Sequence, residues 1–161
     1  FRTFSPLTNR FAALIGANPV LVQQAELAQA FATGIATAMV TSAQTGVDTS
    51  AWDYAKCFTP ATFSMTKNAV LISRRALEAL PADQQKAIMD AARRAEERGW
   101  AYALEAQTAT QNRLAERGLT IGTIPPDVRA GLDAIGATMA NEWIEKAGED
   151  GKKLVEALRA K

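Results

Sequence analysis

The feature that most constrains the fold is a change of pattern near residue 80. Before it, short β-branched or aromatic runs alternate with helical stretches of about ten residues, and after it the chain consists mainly of long helical patterns. Strands that alternate with helices predict βαβ units, in which parallel strands are covered on both faces. We therefore expect an α/β fold whose second half is helical cover.

Local signals divide the first half of the chain. Ser5-Pro6 predicts a helix start and Gly16 its end, and a second helix over about 24–33 ends at Gly34. The expected strands are 1–4, 20–22 and 38–41, and the long extended run 63–73, whose end Val70-Leu71-Ile72 should be buried. Between them, 43–49 is predicted as a loop or a turn of helix and 51–56 as a short helix.

The second half is dominated by two long helices. Leu80-Pro81-Ala82-Asp83 predicts a helix that runs to about residue 117, where Gly118 closes it. A strand over 119–124 should follow, and then Pro125-Pro126-Asp127 opens a second long helix that ends near Gly148. A last helix carries Leu154, Val155 and Leu158.

Composition argues against several classes of function. Lys and Arg number 18 against 17 Asp and Glu, interleaved along the chain, which does not favour nucleic acid as a partner. Histidine is absent, so the commonest proton-transfer group and metal ligand is missing. Cys57 is the one cysteine, which leaves no internal disulfide and no zinc-site spacing, and we expect it to be buried. We expect neither an enzyme nor a bound cofactor or metal.

Arg2 is the residue that points to a function. Its guanidinium is always charged and its planar fork matches a carboxylate, so within an apolar strand it meets an anion or reaches solvent. On the residues alone, a structural arginine at a sheet edge or in an ion pair is the favoured interpretation. The sequence also begins on Phe1-Arg2-Thr3-Phe4 in what reads as the middle of a strand, and we expect a longer chain to be broken there.

The order of motifs around Arg2 resembles a known family. The pattern comprises Arg2 on a strand, a helix, Gly16-Ala17-Asn18-Pro19, Glu26-Leu27, Thr33-Gly34, Lys56-Cys57-Phe58-Thr59, Leu71-Ile72-Ser73 and Leu80-Pro81 before a long Ala-rich helix. It is similar to the solute-binding proteins of TRAP (tripartite ATP-independent periplasmic) transporters, of the C4-dicarboxylate-binding type. The resemblance spans nearly the whole chain.

The resemblance implies a periplasmic receptor of two α/β lobes, of which residues 1–161 are the carboxyl-terminal half. Residues 1–62 would form mainly the second lobe, and 63–161 a lobe-crossing strand and long helices that span both lobes. Its partners would be a small organic carboxylate, the membrane permease and the missing amino-terminal half. Arg2 would be the carboxylate-binding arginine, and Gln24, Thr41 and Phe63 would line the cleft, although Phe63 could instead be core and Thr41 could satisfy a loop amide.

One departure from the family bears on the ligand. Thr37-Ala38-Met39-Val40-Thr41-Ser42 replaces the family's common Asp-Gly-Gln/Glu-Asn-Pro run, which removes charges and an asparagine. The hydroxyls of Thr41 and Ser42 can still donate to a carboxylate, and Trp52 and Phe63 could flank a less polar body. We therefore expect a monocarboxylate or a hydroxy or keto acid.

The principal alternative is a module that does not take part in transport. The first long helix has an Ala-rich face that includes Ala91, Ala92 and Ala95. Such a face would permit a second helix to approach closely, and the protein would dimerise through it. An enzyme is the weakest hypothesis.

Overall fold

A computed structural model describes residues 1–64 and 68–160 of the chain. The strands are β1 (Arg2–Thr3), β2 (Val20–Leu21), β3 (Cys57–Phe58) and β4 (Thr120–Ile121). The helices are α1 (Pro6–Leu14), α2 (Leu27–Ala32), α3 (Ala43–Asp48), α4 (Arg74–Glu78), α5 (Ala82–Glu116) and α6 (Pro126–Arg159), with 3₁₀ turns at Gln24–Glu26 and Ala51–Asp53. This order confirms the α/β pattern and the helical second half.

Both pairs of strands are parallel, as the alternation predicted. β1 pairs with β2, with Arg2 opposite Val20, and a further parallel bridge joins Arg2 to Met39 on the other side. β1 is therefore the middle one of three neighbouring segments. The expected strand over 38–41 is reduced to this single bridge, while β3 pairs with β4 in a second two-stranded sheet.

The first helix follows from its cap. The Ser5 hydroxyl accepts a hydrogen bond from the Thr8 backbone N–H, Pro6 occupies the first turn, and the pattern ends at Gly16, whose φ of 73° suits glycine. This helix covers one side of β1 through the buried Phe11 and Ala12. A separate small core gathers Val22, Leu27, Ala30 and Ala36, against which Val20, Phe31, Met39 and Tyr54 pack.

The two long helices begin and end close to their predicted limits. After α5 the N–H of Gly118 donates to Ala115 and that of Leu119 to Leu114, a closing turn that the φ of 97° at Gly118 permits. In α6 the helical conformation breaks at Gly148, where φ is 68°, so the predicted helix end is a kink within one long element. α5 is anchored to α3 through the buried Leu114.

Cys57 is exposed, so the expectation that it is buried is wrong. β3 is two residues long, and its successive side chains point to opposite faces. Phe58 takes the half-buried face and Cys57 the solvent face. The general preference of free cysteine for the interior gives way here to the register of the strand.

The predicted burial of Val70-Leu71-Ile72 is also wrong for this chain. All three residues are exposed, Val70 and Leu71 almost completely, and neither 63–64 nor 68–73 forms a strand. Residues 65–67, in the middle of the predicted extended run, lie outside the described residues. A buried strand needs neighbours on its edges and faces, and no described element supplies them here. In the described part of the chain, no helix is both long enough and apolar enough to cross a membrane.

Candidate functional site

Three chain segments end at the same edge of the first sheet. β1, β2 and the bridge at Met39 run parallel, so the residues that follow each of them lie at one carboxyl edge. In open parallel sheets this edge is the usual place for ligands. Gln24 follows β2 and Thr41 and Ser42 follow the bridge, so three predicted site residues are brought to the edge where β1 carries Arg2.

The Arg2 side chain is buried and held at two points. The residue is only 4% exposed, its Nε donates to the carbonyl oxygen of Val22 at 2.9 Å, and its Cζ lies 4.5 Å from the centre of the Phe4 ring. In the chain as described, no oxygen accepts a hydrogen bond from the terminal nitrogens Nη1 and Nη2. The guanidinium is thus fixed while its two-pronged end is left for another acceptor.

Burial removes water from around the charged guanidinium of Arg2. Desolvation lowers the pKa of Arg2 from its ordinary value, and the nearby Tyr54 raises it in part. Arginine stays protonated at neutral pH in spite of such a shift because its ordinary pKa lies far above neutrality. The site therefore presents a desolvated positive charge, which attracts an anion more strongly than a solvated one does.

The polar residues at the carboxyl edge of the first sheet differ in whether their side chains are free to hydrogen-bond to a ligand. Gln24 is exposed at the start of the 3₁₀ turn Gln24–Glu26. Thr41 is half-buried, and no described residue hydrogen-bonds to its hydroxyl. Ser42 is already engaged, because its Oγ accepts from the Thr45 N–H at 3.0 Å and thereby caps α3. Gln24 and Thr41 are consequently freer than Ser42 to meet a ligand.

Phe63 lies beside α1. Its ring packs edge-on against Phe11, with 4.7 Å between ring centres, and Phe11 packs in turn against Phe1 at 6.0 Å. Phe63 also lines a largely apolar cavity of about 430 Å³ between α1, residues 61–64 and α6, to which Leu132 and Met139 contribute. Phe63 thus has both a core-like contact and an open apolar side.

Trp52 is placed by a different partner. It lies in the 3₁₀ turn Ala51–Asp53, and the guanidinium of Arg117 lies over its ring at 5.1 Å. No contact between Trp52 and Arg2 occurs within residues 1–64 and 68–160. Trp52 therefore links the end of α5 to the first half of the chain, and its role toward a ligand stays a prediction.

Two neighbours of Arg2 escaped the sequence analysis. Phe4 supports the guanidinium, and a strand period of two puts Phe4 on the same side as Arg2, a signal that the sequence does contain. Tyr54 lies fifty-two positions further along and packs against the core that contains Val22, so its electrostatic effect on Arg2 depends on tertiary packing. In the described residues, no group of Cys, Asp and Glu side chains could hold a metal ion.

Comparison with known proteins decides the family. The model of a family described as DctP, bacterial extracellular solute-binding protein, family 7, matches residues 1–147. The chain belongs to this family. It is a TRAP-type solute-binding protein, as the resemblance predicted, and the family consists of binding proteins and not of enzymes.

Solved structures agree with the assignment to family 7. DctP7 of Bordetella pertussis, an extracytoplasmic solute receptor that binds pyroglutamic acid, is 40% identical with a TM-score of 0.85. DctP6 of the same organism, also a receptor that binds pyroglutamic acid, is 39% identical with a TM-score of 0.89. A TRAP solute-binding protein from a marine metagenome, specific for pyroglutamate, is 30% identical with a TM-score of 0.83.

The family 7 chain is shorter than these relatives. This chain aligns with DctP7 and DctP6 over 99% of its own length and with the metagenome protein over 100%. In each case it spans 53% of the relative's length. The periplasmic ectoine-binding protein of Halomonas elongata shares the fold at 17% identity, with a TM-score of 0.78. No protein of curated function matches the sequence.

Proposed function

We propose that this chain forms the carboxylate-binding part of an extracytoplasmic solute receptor, in which Arg2 grips the ligand through Nη1 and Nη2. The complete protein would bind a small organic carboxylate in the periplasm, close around it and deliver it to the membrane permease of a TRAP transporter. The observation that supports this proposal is the state of Arg2, which is buried and fixed through Nε but has no acceptor at its terminal nitrogens among the described residues.

A buried charge without an anion is energetically unfavourable. Transfer of an unpaired ion from water to a low-dielectric interior costs several kcal/mol, unless the ion is paired and hydrogen-bonded. The Val22 carbonyl and the Phe4 ring offset part of this cost, but neither carries a full negative charge. A ligand carboxylate that accepts from both terminal nitrogens would complete the pairing with the geometry that the guanidinium favours.

Pyroglutamate is the ligand we favour. The two Bordetella receptors and the metagenome protein bind it, and their identity with this chain is 30–40%. Pyroglutamate has one carboxylate and one ring amide, which agrees with a site of one buried arginine, free polar groups at Gln24 and Thr41, and an aromatic neighbour in Phe4. A second cationic residue, which a dicarboxylate would need, is not found beside Arg2 in the described residues.

We further propose that the partner of this chain is the amino-terminal half of the same protein, which would supply the first lobe. Residues 1–62 would then form mainly the second lobe, and residues 63–161 would span both. The exposed apolar segment Val70-Leu71-Ile72 supports this division, and Tyr102 and Leu104 of α5 are exposed as well. Large apolar side chains left exposed in this number are expected where another unit covers them.

The test is calorimetric titration of the complete protein with pyroglutamate, with succinate as a dicarboxylate comparison. Arg2→Ala should abolish measurable binding, and Arg2→Lys should weaken it strongly because an ammonium cannot bind both oxygens in the same plane. Arg159→Ala removes the same charge from the far end of α6 and should bind as the parent does. Undiminished binding by Arg2→Ala would refute the role of Arg2, and no binding of any organic acid by the parent would refute the receptor proposal.

Exposure along α5 favours a second candidate, a dimerisation module. Residues 91–105 of this helix are exposed almost throughout, including Ala91, Ala92 and Ala95. In a dimer, a second copy of the protein would cover this face. Sedimentation of the complete protein over a hundredfold range of concentration tests the dimerisation module against the receptor. A protein that stays monomeric at all these concentrations excludes the dimer.

A further inference from the structure

Phe4 is an exposed aromatic side chain on a fixed backbone. Its backbone N–H donates to Thr8 Oγ1 at 3.0 Å, and the same oxygen accepts from the Ser5 N–H at 3.1 Å. Thr8 is buried, so these bonds tie residue 4 to the first turn of α1. The Phe4 side chain is nevertheless 46% exposed, and it does not belong to the buried apolar core. The fold therefore holds this ring at the surface.

The group that Phe4 covers is the guanidinium of Arg2. Cζ of Arg2 lies over the ring at 4.5 Å from its centre, which is within the range of a cation–π contact. The two residues are two positions apart on an extended segment, which puts both side chains on the same face. Within residues 1–64 and 68–160, no second aromatic ring packs against Phe4. The contact with Arg2 is thus the main specific contact of the ring.

The guanidinium of Arg2 is held from two directions and open in a third. The hydrogen bond from Nε to the Val22 carbonyl lies at one edge of the planar group, and the Phe4 ring lies against its face. In the described part of the chain, no side-chain nitrogen or oxygen is both fully buried and unpartnered. Nη1 and Nη2 have no acceptor there, so they still reach solvent. The side chain is therefore buried except at its two-pronged end.

We propose that Phe4 is a positioning residue for Arg2, whose ring keeps the guanidinium in the plane in which a ligand carboxylate meets both terminal nitrogens. A hydrogen bond at Nε alone leaves the guanidinium free to tilt, and a ring against its face removes that freedom. A carboxylate that binds to both nitrogens lies in the plane of the guanidinium, so the direction of approach is set by this tilt. The inference rests on the proposed function of Arg2 as the carboxylate ligand.

The exposed part of the Phe4 ring also bears on the body of the ligand. A carboxylate in the plane of the Arg2 guanidinium brings the atoms joined to it beside the ring that lies under that plane. The face of an aromatic ring carries partial negative charge, which repels a second carboxylate. Phe4 therefore favours a ligand whose body next to the carboxylate is uncharged, as the ring of pyroglutamate is.

Loss of the Phe4 ring should weaken binding without abolishing it. Phe4→Leu keeps an apolar side chain but removes the aromatic face, so the Arg2 guanidinium takes up more orientations in the free protein. The ligand must then fix it, which weakens binding by about two- to tenfold. Phe4→Tyr retains an aromatic face and should bind within about twofold of the parent.

The first measurement is calorimetric titration of the complete protein with pyroglutamate, with thermal unfolding recorded for each variant. It compares the parent, Phe4→Leu and Phe4→Tyr. Trp143→Leu is the matched control, since Trp143 is exposed to a similar extent, 48%, but lies on α6. This variant also loses an aromatic ring, and it should bind as the parent does.

The second measurement needs no ligand. It is nuclear magnetic resonance of the Arg2 Nε–H group in the complete protein, which should exchange slowly because it is buried and donates to the Val22 carbonyl. In Phe4→Leu this resonance should lose the shift that the ring current causes, and its exchange with water should become faster. Phe4→Tyr should retain both properties. A general loss of stability would not reproduce this pattern.

The outcomes separate this inference from the proposed function. Parental affinity in Phe4→Leu would overturn the inference, as would an unchanged Arg2 resonance in that variant. Equal weakening by Phe4→Leu and Phe4→Tyr, or by Trp143→Leu, would also overturn it, because the aromatic face at position 4 would then not be the cause. In each case the role of Arg2 would stand as long as Arg2→Ala abolishes binding. If the parent binds no organic acid, the receptor proposal itself fails, and with it the role of Phe4 toward a ligand.

Discussion

Leu114→Ala should strongly destabilise the 161-residue chain. Leu114 is fully buried on α5 and packs against α3, and a methyl group built at Gly46 of α3 would lie 3.4 Å from Leu114 Cδ2. This contact holds the carboxyl-terminal part of α5 against the first half of the chain, whereas residues 91–105 of the same helix are exposed almost throughout. Loss of the Leu114 side chain therefore removes the main attachment of the longest helix.

The magnitude follows from the burial. Truncation to alanine removes three carbon atoms from a fully buried site, which costs about 2.4 kcal/mol in transfer free energy. Gly46 has no side chain that could move into the space, so a cavity remains and increases the loss to about 3–4 kcal/mol. With a urea m-value of about 2 kcal/mol/M, the unfolding midpoint should fall by about 1.5–2 M.

Urea unfolding followed by circular dichroism measures this loss. Leu104→Ala is the matched control, since Leu104 lies on the same helix but is 77% exposed, and it should change the free energy of unfolding by no more than about 0.5 kcal/mol. If the two substitutions had equal effects, Leu114 would not anchor α5. In the complete protein, a larger cost of Leu104→Ala than in the isolated chain would support the proposed cover by the amino-terminal half.

Three further predictions concern a helix cap, a glycine with positive φ and an ion pair. Ser42→Ala should lower the free energy of unfolding by about 1 kcal/mol by removing the cap of α3, and Ser42→Asp should not, as thermal unfolding would show. Gly148→Ala should lower the free energy of unfolding by about 1 kcal/mol because φ is 68° at Gly148. Gly131→Ala on the same helix should raise the free energy of unfolding, and urea titrations measure both changes. The hydrogen bond from Arg10 lowers the pKa of Glu142, so their ion pair stabilises the fold at pH values above the ordinary glutamate pKa. This stabilisation is lost as the pH falls through the lowered pKa. Glu142→Gln should abolish this part of the pH dependence of the free energy of unfolding, and added salt should reduce it.

The sequence predicted best those features that depend on neighbouring residues. The limits of α5 were predicted to within a residue, because Pro81 and Gly118 act through local backbone geometry. The strand that carries Arg2 and its parallel partners also followed from the alternation of elements. Burial was predicted less well, since Val70 and Leu71 form an apolar run whose cover must come from elsewhere in three dimensions.

The candidate site shows the same limit. Charge and strand position identified Arg2, and the family resemblance added Gln24 and Thr41, which the parallel register does bring to the same edge. The use of Ser42 as the cap of α3 is a local signal that the sequence analysis missed, because it left 43–49 open between a loop and a turn of helix. The packing of Tyr54 against the core that contains Val22 could not be predicted, because it joins segments that lie far apart in the sequence.

β3 can pair with β4 only after the long stretch of chain between them has been synthesised. Cys57 lies opposite Thr120, so the second sheet joins segments that are more than sixty residues apart, with all of α5 between them. At about 5–20 residues per second, a ribosome needs at least about 3–12 s to make the intervening chain. During that interval β3 has an unpaired edge, although all segments of the first sheet have already been made, and a chain of this topology then depends most on chaperones.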